Sequence, residues 1–270
     1  MDECARRVFV VKAALLAVAI ASPTLAGDWP GWRGPNRDGV STEKGLLQQW
    51  GPAGPPLAWK SSGVGSGFAG VAVAGERLFT MGDKDGAQHV FALKREGGAV
   101  LWKVRVGPPL VDSRGGARTT PVVDGERVYA LGTSGDLLCL EAATGKVAWS
   151  KNLERDYGGR MMSSWMWSES PLVDGDRLVF TPGARDAALV AVDKATGRDV
   201  WRAATPDHGP KGRDGAGYSS IVISNGAGVK QYVQLLGRGL VGIRASDGKF
   251  LWGHNGVANG VANISTPLVR

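Results

Sequence analysis

The sequence is poor in the residues that carry most enzyme chemistry. It has two cysteines, Cys4 and Cys139, and three histidines, His89, His208 and His254, none at metal-ligand spacing. It has no Gly-x-Ser-x-Gly elbow and no phosphate loop ending in Lys-Ser/Thr, so a hydrolase or nucleotide-binding reading has nothing to stand on. There is no run of five or six basic residues, so the net charge of +7 reads as solvated surface, not as a nucleic-acid footprint. No apolar run reaches the roughly 20 residues that span a bilayer.

The first 26 residues read as a secretory signal peptide. Arg6, Arg7 and Lys12 precede the short apolar run Ala13 to Ala21, and Thr24-Leu25-Ala26 offers a cleavage site. "RRVFVVK" resembles a twin-arginine signal, so the expected location is periplasmic or secreted. Cleavage would remove Cys4 and leave Cys139 unpaired in "DLLCLEA", where it reads as a small buried hydrophobe.

What the chain has in plenty is glycine, 41 residues without a collagen-like period, which points to tight turns between short strands. It also repeats itself. Residues 71–102, 121–149, 171–201 and 221–252 align, placing Gly75, Gly125, Gly175 and Asn225 in register, and likewise Trp102, Trp149, Trp201 and Trp252. In the second copy "PVV", "RVYALG", "DLLCLEA" and "VAW" are period-2 apolar runs, separated by Asp124-Gly125, Ser134-Gly135-Asp136 and Thr144-Gly145. Each copy therefore predicts four short antiparallel strands, and repetition at this period predicts an all-β propeller. The strand-four Trp is expected to fill the wedge between one blade and the next. Full burial would contribute on the order of 4 to 6 kcal/mol as an upper bound.

"AVDKATGRDVW" and its relatives resemble the tryptophan-docking repeat of the pyrroloquinoline-quinone-like (PQQ-like) propeller family. That family includes quinoprotein dehydrogenases and the outer-membrane β-barrel assembly lipoprotein B. "DWPGWRGPNRDGVS" is similar to the opening of exported bacterial members. The resemblance covers nearly the whole chain after Ala26 and implies eight blades. "PLAWKSS" around Trp59 matches a fourth strand without its first three, and "STPLVR" stops one strand into a fifth copy. The expectation is thus a truncated chain: signal peptide 1–26, lead-in 27–58, and about half a propeller over 59–270, with an exposed blade edge prone to aggregation.

Functional groups should lie where the blades converge, just before each innermost strand. The aligned quartets there are "GFAG" (67–70), "ARTT" (117–120), "WSES" (167–170), "GYSS" (217–220) and "NIST" (263–266). Small residues dominate, and the exceptions are Phe68, Arg118, Trp167, Glu169, Tyr218 and Asn263. By the family layout these face the channel mouth, where they would bind a ligand or hydrogen-bond between blades. The insertion "NLERDYGGRMMSSWMWSESP" is placed either over that mouth, on a partner surface or in the interblade core, and "TPDHGPKGRDGAGY" reads as a mobile surface loop.

For activity the resemblance implies two readings. One is an envelope scaffold that binds protein partners. The other is a quinone-dependent dehydrogenase using PQQ, calcium, a vicinal cysteine pair and a catalytic aspartate. No Cys-Cys is present, and Glu169 and Asn263 are oxygen donors of the type calcium accepts but lie outside matching motifs. The sequence favours the non-catalytic module. A saccharide-binding propeller relying on Trp167 is a third option.

Overall fold

A computed structural model describes residues 27–112 and 114–269; the signal-peptide expectation lies outside them. Among the described residues, sixteen strands form four four-stranded antiparallel sheets, each a simple meander. The first blade is β1 (Ala72–Ala74), β2 (Arg77–Lys84), β3 (Ala87–Lys94) and β4 (Val100–Gly107). The second is β5 (Val122–Asp124), β6 (Arg127–Leu131), β7 (Asp136–Glu141) and β8 (Val147–Asn152). The third is β9 (Leu172–Asp174), β10 (Arg177–Phe180), β11 (Leu189–Asp193) and β12 (Asp199–Ala203), and the fourth is β13 (Val222–Ser224), β14 (Gln231–Leu236), β15 (Gly239–Arg244) and β16 (Phe250–His254). The all-β blades expected from the repeat are present. The Asp124-Gly125 turn closes β5 onto β6 with Gly125 at φ 55°, which explains why glycine recurs at that position.

The hydrophobic cores lie between neighbouring blades. Phe79 and Val90 of the first meet Val128 and Leu140 of the second; Tyr129 and Leu137 meet Phe180 and Val190 of the third; Val179 and Ala191 meet Tyr232 and Val241 of the fourth. At each interface the strand-four Trp crosses to the next blade. The indole N–H of Trp102 donates to the Ala142 carbonyl at 3.1 Å, that of Trp149 to Lys194 at 3.1 Å, and that of Trp201 to Ala245 at 3.2 Å. Each ring lies on the glycine of the neighbour's Thr-Gly or Asp-Gly turn. A Cβ at Gly145, Gly197 or Gly248 would stand 2.9, 2.8 or 2.7 Å from its Trp ring, so only glycine fits. On its own sheet each Trp faces a small residue: Ala92, Cys139, Ala191 or Gly242. A register shift follows that pair in all four blades. Cys139 is thus the small residue that leaves room for Trp149.

Several expectations need correction. Trp102 and Trp149 are only half-buried, so the full burial energy does not apply to them. Trp59 packs on Gly98 as the others pack on their glycines, but residues 57–60 form no strand. Trp252 meets no neighbouring turn glycine and donates instead to Gln231 Oε1 of its own blade at 2.6 Å. The long insertion opens with a short helix, α1 (Leu153–Tyr157), capped by the Asn152 side chain on the Arg155 amide. Its Leu153 and Tyr157 enter the core between the second and third blades. The 205–218 loop is fastened, with Asp214 pairing to Arg160, Arg185 and Arg238 and Lys211 N donating to Asn255 Oδ1.

The fourth position of each quartet builds a ladder across the blades. Gly70 N donates to Thr120 Oγ1 (3.1 Å), Thr120 N to Ser170 Oγ (3.0 Å), Ser170 N to Ser220 Oγ (3.0 Å) and Ser220 N to Thr266 Oγ1 (3.4 Å). Small hydroxyl residues recur here because each hydroxyl satisfies the amide of the preceding blade. Ser170→Ala strands the buried Thr120 amide and is expected to cost about 1–3 kcal/mol. A lower urea midpoint with unchanged slope would register that loss, and an unchanged midpoint would count against the ladder.

Candidate functional site

The second position points the other way in four of the five quartets, Tyr218 of the fourth being the exception. Phe68, Arg118, Ser168 and Ile264 converge, with Asp112, Arg114 and Trp165, on a cleft of about 420 Å³. The short strands β1, β5 and β9 follow Phe68, Arg118 and Ser168, so the repeat delivers one side chain from each of the first three blades to the cleft, and Ile264 joins them from the segment after β16. Phe68 is 69% exposed, Ile264 59% and Trp165 38%, an apolar and aromatic lining open to solvent. Arg118 braces the rim: Nη1 donates to the Trp165 carbonyl at 2.5 Å, and Nη2 to Asp112 Oδ2 and the Arg114 carbonyl, both at 3.1 Å. Tyr218 supports the wall from behind. Its ring centroid is 5.6 Å from that of Trp165, and its hydroxyl lies 2.5 Å from Ser163 Oγ and accepts from Trp165 N at 3.3 Å.

Of the six predicted residues, Phe68 and Arg118 therefore line the cleft and Tyr218 backs it. Trp167, Glu169 and Asn263 stand elsewhere, because first- and third-position side chains turn into the interblade core. Trp167 is buried beside Leu153 and Phe180 and donates to the Thr181 carbonyl at 3.3 Å, so it presents no face to a saccharide. Asn263 donates to the Leu236 and Gly237 carbonyls at 2.8 and 2.9 Å. Ser168 and Ile264 were legible as second letters of their quartets, whereas Asp112 and Arg114 lie in a connection outside the repeat.

Glu169 is 2% exposed. Its Oε1 accepts from Thr181 N at 2.5 Å and its Oε2 from Gln234 Nε2 at 2.9 Å. Burial pushes its carboxyl up to about 7, against the hydrogen bonds from Thr181 and Gln234 and the charge of Arg37, which favour the anion. These groups do not fit calcium. The Glu169 oxygens are sealed among protein donors, and Asn263 Oδ1 already accepts from Asn259 N (3.0 Å) and Nδ2 (2.9 Å). Among the described residues no cluster of three or more His, Cys, Asp or Glu is placed to hold a metal. The cleft itself offers an apolar floor with a charged rim, which is binding chemistry, and its lining holds no Cys, His, Lys or Tyr.

Four meander sheets joined by strand-four tryptophans define a PQQ-like β-propeller. More narrowly, the chain belongs to the family described as outer membrane protein assembly factor BamB, whose model matches residues 86–269. Among solved structures it is similar to a quinohemoprotein alcohol dehydrogenase, ADHIIG, from Pseudomonas putida HK5 (TM-score 0.59, 19% identity, covering 85% of this chain and 40% of that one). It is also similar to BamB from Moraxella catarrhalis (0.54, 17%, covering 74% and 55%). A third similar structure is the quinohemoprotein alcohol dehydrogenase of Comamonas testosteroni (0.57, 17%, covering 84% and 41%). At these identities the likeness is one of fold. The chain spans about two fifths of the length of these dehydrogenases and 55% of that BamB. No curated protein matches it significantly. No helix among the described residues is long and apolar enough to cross a membrane.

Proposed function

We propose that the chain is a non-catalytic binding module of the cell envelope that docks a protein partner in the axial cleft. The observation that carries this reading is the convergence of exposed Phe68, Trp165 and Ile264 inside a rim of Arg114, Arg118 and Asp112. Exposed aromatics ringed by arginine are the composition of protein-binding hot spots. Membership of a family described as an outer membrane assembly factor supports an envelope location and protein partners. In the same reading, Trp102, Trp149 and Trp201 dock each blade on the next and hold the second-position residues in one ring. A quinone-dependent oxidoreductase is the rival, supported by likeness to the two dehydrogenases and opposed by the sealed Glu169 and Asn263.

A photo-crosslinking residue at position 68 should trap a discrete protein adduct in envelope preparations. The same residue at position 126, in the exposed turn at the far end of a first strand, should not. Trp165→Ala should abolish the adduct. Equal labelling from both positions, or an adduct indifferent to Trp165→Ala, would overturn the assignment.

A further inference from the structure

A cluster of arginines lies where the third and fourth blades meet. Arg160 follows α1, Arg185 stands in the connection from β10 to β11, and Arg238 in the turn from β14 to β15. All three reach one carboxylate. Arg160 Nη2 and Arg185 Nε donate to Asp214 Oδ2 at 3.0 and 3.2 Å, and Arg238 Nε donates to Asp214 Oδ1. The matching turns of the first two blades, Asp85-Gly86 and residues 132–135, hold no arginine, so the blade repeat does not call for this cluster.

One carboxylate does not neutralise three guanidinium groups. Asp207 stands 3.9 Å from Arg238 Nη1 and pairs with neither of the other two. Over residues 160, 185–186, 207–214 and 238 the chain carries five Arg or Lys against Asp186, Asp207 and Asp214, an excess of positive charge. Arg238 is the inner member, and its Nη1 also donates to the Gly209 carbonyl at 3.1 Å. Arg160 and Arg185 are the outer members, with side chains 52% and 66% exposed. Arg160 Nε and Nη1 and both terminal nitrogens of Arg185 have no hydrogen-bond partner among the described residues, and they are open to solvent. Because Arg160 and Arg185 donate to the same oxygen, their guanidinium groups stand side by side. Their backbones are pinned as well: Arg160 N donates to the Pro182 carbonyl at 2.9 Å, its carbonyl accepts from Ala216 N at 2.8 Å, and the Arg185 carbonyl accepts from Thr205 N at 3.0 Å.

We propose that this cluster binds a phosphate group, with the free N–H groups of Arg160 and Arg185 as donors and Asp214 as the positioning residue that holds them together. Two adjacent guanidinium forks match the oxygens of one tetrahedral dianion, and fixing them beforehand removes much of the ordering cost of binding. The recess beneath, between residues 183–188 and 205–215, holds only about 30 Å³, so the phosphate sits across the two guanidinium edges at the surface and does not enter it. The site shares no lining residue with the axial cleft.

The test uses the full chain and inorganic phosphate, titrated by calorimetry against chloride at constant ionic strength. Phosphate should bind saturably, and Arg160→Gln and Arg185→Gln should each weaken it roughly tenfold. In either variant Asp214 keeps two arginine partners, so the loop stays fastened, and unchanged circular dichroism checks this. Arg155→Gln removes an exposed arginine outside the cluster and should leave the affinity unchanged. Vesicles of phosphatidylcholine with and without phosphatidic acid distinguish the source of the phosphate. Co-sedimentation that needs phosphatidic acid and is lost in Arg160→Gln assigns a lipid headgroup; phosphate binding without co-sedimentation assigns a soluble ester. No saturable response to phosphate, wild-type affinity in both cluster variants, or an equal loss in Arg155→Gln would overturn the proposal.

Discussion

Trp201→Ala is expected to lower the melting temperature by roughly 6–20 °C, the equivalent of about 3–5 kcal/mol. Trp201 is 8% exposed, lies on Gly248 of the fourth blade and donates to the Ala245 carbonyl, with Tyr232 packed at 6.0 Å. Removing it opens a cavity in the core between the third and fourth blades and leaves that carbonyl with the Arg177 guanidinium as its donor. Trp252 has the same place in its repeat but is half-buried and bonds within its own sheet. Trp252→Ala should therefore cost much less. Thermal melts of the two variants check the comparison, and equal losses would mean that interblade docking is not the source of the stability.

The second large effect is a dependence on pH. Glu169 has its folded value raised to about 7 from 4.5. Below about 4.5 the carboxyl is protonated in both states and burial carries no charge penalty. As pH rises from there to about 7 the unfolded chain ionises first, the folded state holds the extra proton, and stability falls. The loss from this group approaches 3 kcal/mol, roughly 6–12 °C, and levels off above pH 7. Glu169→Gln has nothing to ionise and should flatten this part of the profile. Unfolding followed from pH 4.5 to 8 in both proteins would show the slope in the wild type alone. Parallel profiles would mean that Glu169 ionises in the folded protein as easily as in water.

Much of the fold was legible because its signals are local. Asp124-Gly125 and Thr144-Gly145 mark hairpins, alternating apolar residues mark the faces of β6 and β7, and Trp recurring every fifty residues marks the blade. The quartets were legible as a group, but the role of each letter was not. Glu169 and Arg118 are both long polar side chains one residue out of phase, and the twist of the entry segment sends one into the core and the other to the cleft. Helix α1 escaped notice because five residues carry too little periodicity, although Asn152 and Gly158 are sound cap residues. The bond from Arg37 to Ser170 spans 133 positions in sequence, and no local pattern announces it.

The most direct test of a binding module against a quinone enzyme is titration of the purified chain with PQQ and calcium, following tryptophan fluorescence and melting temperature together. Trp165 on the cleft wall reports any occupant. With Glu169 and Asn263 sealed among protein donors, we expect no calcium-dependent change in either signal. Saturable, stoichiometric quinone binding that requires calcium and raises the melting temperature would contradict the non-catalytic assignment.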